Sequence, residues 1–252
     1  MQIVGYEPSG GGSALLVSDG EQVTSHSLAA GSELRYSLGR RLCAGVIDQE
    51  TGRHRPCDRP ETPHCAYHTS SWICARCTGT CLKDEMDCFE EHAIYLAAFA
   101  PNTFKVGVTR SWRLETRLRE QGADRAAHVA TVSDGRIARE REAEIARDLV
   151  DRVGIETKID GLAADLDHTA WESLLAGYDV IDRYTFEYGL DLERRPVRET
   201  IAAGTVRGLK GRVLVLERRG TTYAVDLRDL VGYELVAGEG ERSLQSSLGS
   251  FE

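Results

Sequence analysis

An α+β fold is what this 252-residue sequence predicts, and three patterns carry the expectation. Short alternating apolar runs, broken by glycine-rich turns, fill both ends of the chain, which is the mark of β-structure. Between them, residues 93–152 read as strand, strand, helix, strand, helix. Ahead of that run lies a stretch poor in apolar residues that holds all seven cysteines, between positions 43 and 88. The organisation expected is a β segment over 1–42, a cysteine-rich segment over 43–92, an α/β core over 93–189, a small β-barrel or sheet over 196–240 and a mobile tail over 241–252.

Composition narrows the class. A hydrophobic content of 41% with 28% charged residues is that of a soluble globular chain. No apolar run approaches the roughly 20 residues that span a bilayer. MQIVGYEPSGGG at the N-terminus has neither the basic nor the apolar region of a secretory leader. The expectation is a cytoplasmic protein with no membrane partner. A net charge of −9 excludes a protein that coats nucleic acid wholesale, because phosphate binding is built from Lys and Arg. Residues 101–122 run against that average, with Lys105, Arg110, Arg113, Arg117 and Arg119 facing only Glu115 and Glu120.

Taken in order, QIVGY, ALLVS, VTSHSL and ELRYSL are strand-like runs separated by PSGGG and DGEQ turns. They carry no visible chemistry. Residues 43–88 contain Pro56, Pro60 and Pro63 and cannot bury enough apolar surface to fold alone, so metal staples are expected. Cys43, Cys57, Cys65 and His68 make one set of four ligands, with Cys65-Ala-Tyr-His68 as a tight knuckle. Cys74, Cys77, Cys81 and Cys88 make a second, opened by Cys74-Ala-Arg-Cys77, and His92 can replace a cysteine there. Two residues between ligands let both reach one tetrahedral ion, and thiolate with imidazole suits zinc. Two zinc ions are therefore expected. Sites filled by four protein ligands keep no open position, so both are structural. His54 and His64 read as surface residues of this loop.

In the core, AIYLAAF and FKVGVT are strands joined by a turn at Pro101, with Gly107 marking a close backbone approach. A helix follows, Ser111 its expected N-cap and Gly122 its stop, with Arg113 and Arg117 one turn apart on one face and Leu114 and Leu118 on the buried stripe. Residues 127–133 form a third strand. Residues 136–152 form an amphipathic helix with Ala138, Ile145, Ala146 and Leu149 on its apolar face. Glu142 falls within that stripe, where a carboxylate is costly unless paired or bound to metal. Residues 155–189 read as mostly helical, with Asp167 or Thr169 capping 167–175 and Trp171 and Leu174 packing on the core. Frequent glycines and alternation over 196–238 suit a five-stranded barrel or sheet that can pair with the N-terminal strands.

The run from Tyr95 to Glu142 resembles the core of GIY-YIG nucleases. AIY (93–95) stands where that family has GIY, and KVG (105–107) where it has YIG. An arginine follows on the next helix, Arg117 or Arg113, and a glutamate, Glu142, on a later one. The resemblance implies a small sheet with flanking helices, Tyr95 as general base or water-orienting hydroxyl, Arg117 as phosphate clamp and Glu142 as the ligand of a single Mg²⁺ or Mn²⁺. Lys105 replaces the second tyrosine, and Glu115 occupies the usual place of the arginine. The function implied is a metal-dependent endonuclease acting on DNA or RNA. The alternative is a non-catalytic module that binds nucleic acid or a protein partner and is held together by structural zinc.

GTC (79–81), CFEEHAIYLA (88–97), KVGVTR (105–110), REQGA (119–123), DHTAW (167–171), GLKG (208–211) and VGYEL (231–235) are also similar, in order, to an uncharacterised prokaryotic zinc-motif family, a domain of unknown function. That resemblance implies the same architecture. Histidine can stand at Cys77 in it, as a ligand position allows.

Overall fold

The computed structural model describes residues 1–8, 12–48, 50–69 and 89–238. The chain opens with strands β1 (Gln2–Glu7), β2 (Ala14–Ser18), β3 (Val23–Ser27) and the longer β4 (Glu33–Arg41). A short hairpin follows, β5 (Val46–Ile47) against β6 (His54–Arg55). Then come β7 (His92–Phe99), β8 (Thr103–Arg110), α1 (Leu114–Gln121), β9 (Arg125–Val132) and α2 (Gly135–Ile145). After these lie α3 (Ile155–Asp160), α4 (His168–Leu175) and β10 (Asp182–Thr185). The last group is β11 (Val197–Arg198), β12 (Ala202–Lys210), β13 (Val213–Arg218), β14 (Thr221–Asp226), α5 (Leu227–Leu230) and β15 (Tyr233–Ala237). They form two units: Met1–Thr69 with Tyr188–Glu252, and Ser70–Glu187. No helix among the described residues is long and apolar enough to cross a membrane.

In the first unit one nine-stranded sheet runs β11-β14-β13-β12-β4-β15-β1-β2-β3. Only β11 and β14 pair in parallel. The C-terminal strands do pair with the N-terminal ones, as the sequence allowed: β4 lies between β12 and β15, so 1–42 and 196–240 contribute to one sheet. The physical reason is the core. Ile3, Leu15 and Val17 from one end of the chain pack with Val206, Leu214, Leu216 and Val225 from the other, and neither set fills a core alone. The RRGTT turn joins β13 to β14 through Arg219 and Gly220 at φ 51° and 74°, the twist-matched geometry of a two-residue hairpin.

The second unit is built on a four-stranded antiparallel sheet, β10-β9-β7-β8. The apolar run AIYLAAF makes β7 an inner strand, and every one of its residues is buried. Ile94, Leu96, Ala98 and Val106 pack on one face with Trp171 and Leu175. Alternation puts Tyr95 and Ala97 on the other, opposite Gly107 and Lys105.

Three element boundaries differ from expectation. Ser111 does not cap α1: a single 3₁₀ turn over Ser111–Arg113 intervenes, and its own N–H is held by the Glu91 carbonyl at 2.9 Å. Gly122 does close that helix, at φ 73°. α2 starts at its Asp134 cap but stops at Ile145, because the chain turns to lay Val150 beside Lys105, where the Val150 carbonyl accepts from Val106 N at 3.1 Å. The stretch 155–189 gives up helix at β10, which completes the sheet by pairing with β9. Asp167 caps α4, accepting from Ala170 N at 2.9 Å.

Candidate functional site

Cys43, Cys57, Cys65 and His68 meet at one point, their ligand atoms all within 4.8 Å of one another. The cysteines form no disulfide. His68 turns Nδ1 toward the sulfurs and stands 3.4 Å from both Cys43 Sγ and Cys65 Sγ. With Zn–S near 2.3 Å and Zn–N near 2.0–2.1 Å, a tetrahedral ion has a sulfur–nitrogen edge of about 3.5 Å. The donor set and its spacing fit zinc, and the cluster can hold such an ion.

Local structure explains the convergence. The knuckle closes when the Cys65 carbonyl accepts from the amides of both His68 and Thr69 at 2.9 Å. Cys65 N donates to Cys43 Sγ at 3.2 Å, the outer hydrogen bond that steadies a thiolate ligand. Burial pushes the Cys43 thiol up. On Cys65 burial acts the same way, but amide hydrogen bonds from Tyr67 and His68 help bring that thiol below its ordinary value. Cys43 leaves the end of β4, where Gln2 Nε2 holds its carbonyl at 3.3 Å and that of Gly232 at 3.0 Å.

His54 is not the surface residue expected. It is buried, with Nε2 2.8 Å from the Ala44 carbonyl and Nδ1 2.9 Å from Ser18 Oγ. A carbonyl only accepts, so Nε2 carries the proton and Nδ1 accepts from Ser18. The ring ties the β5–β6 hairpin to β2. Gly45, at φ 63°, has no room for a Cβ against the Arg55 carbonyl and this ring. His64 is half-buried.

Cys74, Cys77, Cys81 and Cys88 lie outside the described residues. His92 is described: it is buried at the start of β7, with Nδ1 2.6 Å from the Glu90 carbonyl. A carbonyl only accepts, so Nδ1 is the donor.

In the second unit a polar cluster gathers on the Tyr95 face of the sheet. Tyr95 is fully buried against Gly107, where any Cβ would overlap the phenol. Its hydroxyl accepts from Gln121 Nε2 at 2.5 Å. Burial pushes the phenol above its ordinary value; the Gln121 hydrogen bond and the Arg117 guanidinium oppose, and the Glu142 carboxylate adds. Half-buried Lys105 stands diagonally across the strand pair and donates from Nζ to the Asp151 carbonyl at 3.0 Å. Burial pulls its ammonium down to about 8, with Glu142 opposing and Arg117 adding. Tyr95, Lys105, Arg117 and Glu142 therefore share one electrostatic neighbourhood. Arg113, one turn before Arg117, pairs with Glu120 at 3.1 Å and lies beside Trp112. Arg117 pairs with the same carboxylate at 3.2 Å.

Two members escaped sequence reasoning. Arg139 pairs closely with Glu142, one turn along α2, and both side chains are largely buried. Its field also reaches Tyr95 and Lys105. Gln121 extends the buried stripe of Leu114 and Leu118, so a polar residue at an apolar helical position was the available signal.

In comparison with known families, residues 31–193 match the family described as "Protein of unknown function (DUF2797)". The chain belongs to the DUF2797 family. The matched span of DUF2797 contains the Cys43–His68 cluster and the polar cluster, and ends before GLKG and VGYEL. Neither curated proteins nor solved structures give a match.

Proposed function

We propose that this DUF2797 protein is a zinc-stapled nucleic-acid-binding protein whose α/β unit cleaves phosphodiester bonds. The observation that supports it is the grouping of Tyr95, Lys105, Arg117 and Glu142, drawn from β7, β8, α1 and α2, around one spot. In this reading Arg117 clamps the phosphate, and Arg113 binds its neighbour along the strand. Glu142, with water and phosphate oxygens, is the protein's ligand for Mg²⁺ or Mn²⁺, which needs only one or two carboxylates. The ion, when bound, neutralises charge on the phosphoryl oxygens. Arg139 then moves from Glu142 toward the same phosphate. Tyr95 is a positioning residue, since a buried phenol with a raised pKa does not take a proton near neutrality. Lys105, neutral in part near pH 8, accepts the proton of the attacking water while the phosphorus–oxygen bond to the leaving group breaks. Zinc in Cys43–His68, and a second ion on Cys74, Cys77, Cys81 and Cys88 with His92 Nε2 as a substitute ligand, keep structural roles.

A second reading is a non-catalytic module for nucleic acid or a protein. It is favoured by the completeness of the cluster as it stands: Glu142 has Arg139, and the Tyr95 hydroxyl has Gln121. Incubating the protein with branched, single-stranded and duplex DNA and RNA in Mg²⁺ or Mn²⁺ separates the two. Cleavage that disappears in Glu142→Ala is expected. Binding without cleavage selects the second reading.

A further inference from the structure

We infer that Trp112 is a stacking platform for an unpaired base, and that the arginines beginning at Arg113 hold the backbone of the same single strand. This deepens the nucleic-acid reading above by naming the form of the substrate. Trp112 is 71% exposed, at the 3₁₀ turn between β8 and α1. A single exposed indole carries no function by itself. This one is held in place. Nε1 donates to Glu90 Oε2 at 3.0 Å, and the other Glu90 oxygen takes the Arg110 guanidinium at 3.2 Å. With its single N–H engaged, what the ring still offers a partner is its π-face.

The surroundings say what that partner is. The Arg113 guanidinium lies 5.9 Å from the ring centroid, and Arg117 follows one helical turn on, toward Lys105 and Tyr95. The platform therefore adjoins a row of two arginines, Arg113 and Arg117, that share the single Glu120 carboxylate and so keep net positive charge as the row leads into the polar cluster. A protein-docking tryptophan sits among apolar neighbours, whereas this one has Arg113 over its ring and Glu90, itself paired with Arg110, on its N–H. A π-face beside a row of guanidiniums is the combination that binds single-stranded nucleic acid without reading its sequence. A paired base already spends both faces on its neighbours, so the duplex has nothing to stack here.

The test uses the full, zinc-loaded chain with a short mixed-sequence single strand, the same sequence as duplex, and fluorescence anisotropy for affinity. Trp112→Ala is expected to weaken single-strand binding by about 5- to 100-fold, the range of one lost stacking contact. Trp112→Phe should keep most of the affinity, and neither change should alter the melting temperature or duplex binding. Single-strand addition should quench an emission component that Trp112→Phe lacks. Equal affinities of wild type and Trp112→Ala for the single strand overturn the inference. So do an indole already shielded from acrylamide in the free protein, equal loss on duplex, and no binding by the wild type. Cleavage lost in Glu142→Ala with Trp112→Ala unaffected removes the platform and keeps the phosphodiester reading. Trp112-dependent binding without cleavage does the reverse.

Discussion

The two polar clusters of this chain are built on opposite logics. In the Cys43–His68 cluster four donors converge on one another, with His68 Nδ1 against two of the sulfurs and Cys65 N donating to one of them. In the Tyr95–Glu142 cluster every group named already has a protein partner: Gln121 for Tyr95, Asp151 for Lys105, Glu120 for Arg117 and Arg139 for Glu142. The first cluster is a donor set that can hold an ion. The second is complete at rest and must exchange partners to do chemistry. A set of thiols and an imidazole turned toward one point suits a metal, and a set of side chains with exchangeable partners suits a binding or reacting site.

The largest expected effect breaks the first cluster. Cys65→Ser should remove one equivalent of zinc, read by elemental analysis, and destabilise the chain by at least ~3 kcal/mol, since structural zinc contributes its binding free energy to folding. A chelator should lower the melting temperature of the wild type and leave the variant less affected. Unchanged zinc content would detach this cluster from metal. Next in size is Gly107→Ala, where the new Cβ meets the Tyr95 phenol and overpacking costs about 1–3 kcal/mol in urea unfolding. An unchanged midpoint would mean that the Tyr95 wall gives way and does not fix the second cluster.

How much of this was legible in the sequence follows from the range of the forces involved. Cys65 and His68 are three residues apart, and that spacing alone sets a shared ligand point. That Tyr95 and Lys105 lie on one face of the strand pair also follows from period-two alternation across one short hairpin. β4 between β12 and β15 did not show, because its neighbours are chosen by a core assembled from both chain ends. Glu142 drew attention as a carboxylate on an apolar stripe, but its partner is one arginine among several on α2, and only packing selects Arg139. His54 looked like any loop histidine. Its burial depends on Ser18, far away in sequence.

Arg139 and Glu142 sharpen the comparison from the other side. Removing one partner of a largely buried pair strands the other, so Arg139→Ala should cost about 1–3 kcal/mol in urea unfolding. Arg139→Ala with Glu142→Gln together should recover part of that loss. The same pair predicts that Arg139→Ala binds Mn²⁺ more tightly than wild type in calorimetry, since the ion no longer competes with a guanidinium. A double variant as unstable as the sum of its parts would show that the two residues act separately.

The smallest effect is a slope. Lys105 titrates near 8 in the folded chain against an ordinary 10.5, so between those values the unfolded chain binds a proton that the folded chain does not. Stability then rises with pH over roughly 8 to 10.5 and is flat in this respect below 8, where both states are charged. The slope stays under one proton, because the ammonium keeps its bond to Asp151 at a solvent-facing rim that screens it. Lys105→Met should erase the rise and add stability at pH 7, where the buried charge opposes folding. A rise that survives in Lys105→Met belongs to another group. It would also remove the physical reason for giving Lys105 the proton of the attacking water, leaving the second cluster as a phosphate clamp alone.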